Sequence, residues 1–188
     1  MRPTSNALRR WASSLSATQW AAELLPSPSA PGLLADALAR IAPPELEGSS
    51  FFLVRIGQAN SDCLKMAVAA ANGFAYSARL CLAVDAPTLR ALPLASIDEA
   101  RVGLVLDDID AHTPLTELAR EGIEAIRFRP EFVARAMNNL RVACILRSML
   151  LLAHNLGLCT LGSGDVAGSE QAVGFDYVPD SSWNVSAT

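Results

Sequence analysis

The chain of 188 residues has little lysine, no paired cysteines, no excess of positive charge and no apolar stretch free of polar interruption. Fifteen basic against 19 acidic residues leave a formal charge of −4, so no global positive field draws nucleic acid or anionic lipid. Lys65 is the sole lysine; every other basic residue is arginine, so lysine chemistry has a single source. The four cysteines, Cys63, Cys81, Cys144 and Cys159, form no C-x-x-C pair. That argues against zinc and disulfide frameworks and for reduced thiols in a cytoplasmic protein. The most apolar stretch, Val142 to Leu158, is broken by Arg147, His154 and Asn155. Such side chains are costly at a bilayer midplane, and the stretch reads as a buried helix. The first 22 residues carry Arg2, Arg9 and Arg10 without an acid, a faint likeness to a transit peptide, but lack the apolar segment that secretion requires.

What is present is apolar. Hydrophobic residues make up 51% and charged residues 18%, a balance that supports one packed domain and excludes a solvating, disordered chain. Leu15 to Leu25 reads as a short helix, and Pro26-Ser-Pro-Ser-Ala-Pro31-Gly32 breaks it, because proline removes a donor and restricts its predecessor. A second helix is predicted over Leu33–Ile41. Beyond Glu47-Gly48-Ser49-Ser50 the sequence changes to short apolar runs separated by helical patterns. Strands are predicted at Phe52–Ile56, Leu80–Val84, Val102–Leu106, Ala125–Phe128, Leu158–Leu161 and Phe175–Val178. Helices are predicted at Ser61–Ala71, Leu115–Glu121 and Glu131–Asn155. The expected organisation is an N-terminal helical segment over 1–48 and a β/α portion over 49–188.

Continuous apolar runs suit strands buried on both faces, and strand–helix–strand order requires parallel crossovers. The fold class is therefore α/β, an open sheet or a barrel. Active residues of such folds lie just past the strand ends. Here those are Gly57, Asp85, Asp107, Asp108, Arg129, Ser163, Gly164 and Pro179.

Five segments occur in a recognisable order: Leu80-Cys-Leu-Ala-Val-Asp85, Arg101-Val-Gly-Leu-Val-Leu-Asp-Asp108, Ile126-Arg-Phe-Arg-Pro-Glu-Phe-Val133, Leu152-Ala-His-Asn-Leu-Gly-Leu158 and Gly174-Phe-Asp-Tyr-Val178. Their spacing resembles that of the EAL domain, and Asn6-Ala-Leu-Arg-Arg-Trp11 is similar to the family's name-giving motif. The resemblance implies a (β/α)8-type barrel, shortened or incomplete, preceded by the N-terminal helices. It also implies relatives that hydrolyse cyclic di-GMP with two metal ions. Six strands and a seventh near the start, against eight in the family, predict an open edge. The N-terminal helices, a second copy or another protein would cover that edge. Trp11, Trp20 and Trp183 are candidate anchors for such a contact, or core residues.

Position by position, the resemblance implies a degenerate site. The signature glutamate falls on Asn6, the asparagine ligand on Arg55 and the next glutamate ligand on Ala83. The paired aspartates are kept as Asp107 and Asp108, whereas the lysine that orients water becomes Arg127 and the aspartate two residues on becomes Arg129. Later glutamates become Ser163 and Val166, the late glutamine becomes Pro179, and Asp165 is out of register. Hard divalent ions need several carboxylate oxygens to hold them and to acidify a bridging water. Arginines repel a dication at about 4 kcal/mol per unit charge pair at 4 Å in an effective dielectric of about 20. Arg127 stays charged and cannot act as a base. These vestigial positions predict no metal, no cofactor and no phosphodiesterase activity, with Asp107 or Asp108 paired instead to Arg55 or Arg127. The implied function is an inactive domain acting through a protein partner, or by self-association, in bacterial motility or biofilm control. The alternative is a cyclic di-GMP receptor that binds without cleaving, using Leu8, Arg10 and Asp108.

Other groups have plain structural readings. Asp107, Asp108, Asp110 and His112 lie within six residues, a spacing open to a metal site but better suited to a solvated loop capping the helix near Pro114. Leu161-Gly-Ser-Gly-Asp165 reads as a tight turn rather than a phosphate cradle. Arg9-Arg10 reads as part of a surface helix, His154 as a charge near a helix C-terminus, and Lys65 as solvated. Ser163 lacks the partners of a nucleophile.

Overall fold

The computed structural model describes residues 7–13, 20–25, 49–55, 79–91, 102–162 and 173–186. Eight strands form a closed ring in chain order: β1 (Ala7–Ser13), β2 (Trp20–Leu25), β3 (Ser49–Arg55), β4 (Arg79–Asp85), β5 (Gly103–Ile109), β6 (Ile123–Phe128), β7 (Cys159–Leu161) and β8 (Tyr177–Ser186). β1 runs antiparallel to both of its neighbours, and all other pairs are parallel. Helices lie among the later strands: α1 (Ala86–Ala91), α2 (Leu115–Leu118), α3 (Pro130–Asn138) and α4 (Leu140–Asn155). The molecule is a shortened (β/α)8-type barrel.

Alternation along the parallel strands sorts their side chains onto two faces. Leu53, Cys81, Ala83, Val105, Ala125 and Leu161 point into the barrel and pack with Trp11 and Tyr177. Phe51 meets Tyr177 edge to face at 5.1 Å. Their sequence neighbours Phe52, Leu82, Leu104, Leu106, Ile126 and Phe128 point outward, under Phe132, Leu146, Met149 and Leu150 of the helices. Each fully buried side chain of this size contributes about 1.5–3 kcal/mol. Because both faces are covered, the strands read as unbroken apolar runs.

Four expectations are corrected. The sequence Trp20-Ala-Ala-Glu-Leu-Leu25, predicted as helical, is strand β2. Helix propensity is a weak preference, and ladders on both sides, to β1 and β3, override it. The Arg9-Arg10 pair likewise lies on strand β1 rather than on a surface helix. These two strands supply what the sequence count lacked, and among the described residues the ring closes without an open edge. The single helix expected over Glu131–Asn155 is two, because Asn139 adopts an extended conformation and caps the second. Its side-chain oxygen accepts from the backbone of Arg141 at 3.0 Å and Val142 at 3.3 Å. The predicted helices at Leu33–Ile41 and Ser61–Ala71 lie outside the described residues, and so does Lys65. Trp11 is a core residue of the barrel interior.

The floor of the barrel is tightly packed around Gly103. A methyl group there would stand 2.7 Å from Cys81 Sγ and 2.7 Å from Glu124 Oε2. Gly103→Ala is expected to lower stability by about 1–3 kcal/mol, the usual cost of overpacking, in urea unfolding followed by circular dichroism. Unchanged stability would show that Glu124 swings aside at no cost.

Candidate functional site

The inward alternation of β3, β4, β5 and β6 carries Arg55, Asp85, Asp107 and Arg127 to the C-terminal ends of these strands, at one mouth of the barrel. Register places Asp85 opposite Asp107 and Arg55 opposite Ala83. Regular alternation would turn Asp108 away from the mouth. Instead Asp108 has φ of +57°, in the left-handed region, and the β5–β6 register shifts between Leu106 and Ile109. This bulge turns Ile109 into the outer core and leaves both aspartates within reach of one arginine. The Asp108 N–H donates to Asp107 Oδ1 at 2.8 Å, which helps hold a backbone conformation costing about 1–2 kcal/mol.

Asp107 is the centre of the cluster. Arg127 Nε donates to its Oδ1 at 2.7 Å and Arg127 Nη2 to its Oδ2 at 2.6 Å, a two-pronged bond between buried groups. Arg55 adds a third contact, Nε to Asp107 Oδ2 at 2.9 Å, and its Nη2 bonds Asp108 Oδ2. Two guanidiniums therefore balance two carboxylates. Burial alone would push the Asp107 carboxyl up. The hydrogen bonds and charge of Arg127, then the charge of Arg55 and the Asp108 N–H, outweigh burial and hold it below its ordinary value of 3.8.

Arg55, Asp107, Asp108 and Arg127, predicted to share a site, are brought together. Ala83 is buried inside the barrel on β4. Asn6 and Ser163 lie outside the described residues, as do Gly164, Asp165 and Val166. Leu8 and Arg10 lie on β1, which is not adjacent to β5, the strand of Asp108. Arg10 Nε stands 3.9 Å from Asp180, a partner that sequence reading missed.

The loop after β5 is organised by its own hydrogen bonds. Asp110 accepts from the His112 N–H at 2.8 Å and from Arg129 Nη1 at 3.2 Å, while its N–H donates to Thr113 Oγ1 at 3.0 Å. The aspartates do not cap α2, whose N-cap is Pro114 without a side-chain bond. Among the described residues no three His, Cys, Asp or Glu side chains converge as metal ligands. The donor chemistry of the mouth agrees. Both oxygens of Asp107 and one of Asp108 already accept from guanidinium, and divalent ions would need several free carboxylate oxygens. The described mouth residues do not fit a two-metal centre.

Two clusters at the other end of the strands escaped the sequence reading. His154 Nε2 lies 3.0 Å from Asp176 Oδ2, which also accepts from the Thr160 N–H at 2.8 Å and Thr160 Oγ1 at 2.9 Å. The cluster ties the end of α4 to β7 and the start of β8. The run Gly174-Phe-Asp176 was the only signal. Arg79 pairs with Glu124 beside Cys81. Burial and the Glu124 carboxylate push the Cys81 thiol up to about 12, and its side chain packs in the barrel interior.

Asp107→Ala would take from buried Arg127 its two-pronged carboxylate partner and is expected to cost about 3–5 kcal/mol, whereas Asp107→Leu combined with Arg127→Met removes both charges and costs much less. Equal losses in the single and double variants would show that the pair matters only for packing. Because the folded Asp107 pKa is depressed, its stabilisation is full above the unfolded value of about 3.9 and fades as pH falls through the lower folded value. Acid titration of the double variant is expected to show a shallower loss of stability in that window.

No family model and no curated protein matches the chain. Solved structures do. The EAL domain of Mycobacterium smegmatis DcpA superposes with a TM-score of 0.70 at 17% identity, over 93% of this chain and 87% of that one. The PaMucR phosphodiesterase in complex with c-di-GMP gives 0.69 at 15% identity, over 94% and 88%. The c-di-GMP-bound FimX EAL domain of Pseudomonas aeruginosa gives 0.66 at 11% identity, over 93% and 87%. With the closed ring and its antiparallel first strand, these superpositions establish that the chain adopts an EAL-like fold, a barrel in shortened form.

Proposed function

We propose that this chain is a catalytically inactive EAL-like domain that regulates bacterial motility or biofilm formation by binding a protein partner. One observation carries the reading: the buried Asp107 carboxylate is saturated by Arg127 and Arg55. A site that activates water on divalent ions needs that carboxylate for metal. An arginine at position 127 stays protonated and offers no base. In this reading Asn6, Arg55, Ala83, Arg127 and Ser163 are vestiges of a ligand set, and the fold persists because its surface is used. The domain acts in the cytoplasm. Among the described residues no helix is long and apolar enough to cross a membrane.

The similarity to structures solved with bound c-di-GMP supports a second reading, a receptor that binds the nucleotide without cleaving it. Leu8, Arg10 and Asp108 are its candidate contacts. Asp108 is bonded to Arg55 and Arg10 lies near Asp180, so a nucleotide phosphate would have to compete with carboxylates.

Isothermal titration with cyclic di-GMP, with and without Mg2+ or Mn2+, followed by product chromatography, separates the readings. The expected result is no linear dinucleotide with either metal and no saturable heat. Metal-dependent product would overturn the inactive assignment, and tight binding without product would select the receptor. Cross-linking in the native cell and reconstitution with the purified partner test the interaction itself. A chain that cross-links to no protein while cleaving nucleotide would end the proposal.

A further inference from the structure

We draw no further inference here: the strongest candidate, the apolar groove between α4 and the loop after β5 that Leu115, Ile145, Met149 and Leu152 line, has nothing in the structure to show what covers it.

Discussion

A carboxylate held by two guanidiniums at the barrel mouth is the constraint from which most of the site follows. Asp107 is almost fully buried, and an isolated ionised carboxylate there would be prohibitively costly. Arg127 supplies two aligned hydrogen bonds from the adjacent strand, and Arg55 supplies a third from two strands away on the other side. The desolvation of the pair is offset only because the geometry is good and the remaining lone pairs are occupied. The same contacts that stabilise the cluster leave both oxygens of Asp107 and one of Asp108 occupied by guanidinium.

The bulge at Asp108 shows how backbone geometry makes that arrangement. Strand alternation would send neighbouring residues to opposite faces, and two successive inward carboxylates require a break in it. The left-handed Asp108 provides the break, and Ile109 returns to the outer core. Below the mouth the barrel is filled by apolar side chains around Trp11, so solvent does not reach the ion pairs from beneath. On the outside, α3 and α4 cover the sheet with one face, and the His154–Asp176–Thr160 cluster fastens the end of α4. What remains exposed on α4 is more apolar than a solvated helix requires, and its charges are unbalanced.

The strands from β3 to β7 were legible because burial on both faces leaves a run of four or five apolar residues that no helix pattern imitates. β5 and β8 extend further than their apolar runs, since Asp107, Asp108 and Asp180 belong to strands despite their charge. Trp20–Leu25 was misread for the opposite reason. Its alanines, glutamate and leucines favour a helix locally, and only the ladders to β1 and β3 make it a strand. The break at Asn139 was missed because apolar residues continue across it, although asparagine is a good cap.

The sequence by itself determined the parallel α/β core, the order of the strands that carry Arg55, Asp107 and Arg127, and the charge imbalance among them. Those properties are written in residue type and spacing, which act locally. Tertiary structure alone decided that the ring closes through β1 and β2, that Arg55 spans both aspartates, and that Asp176 meets His154. Each of these joins residues far apart in the chain, and the energy of such a contact depends on distances that only the assembled barrel sets.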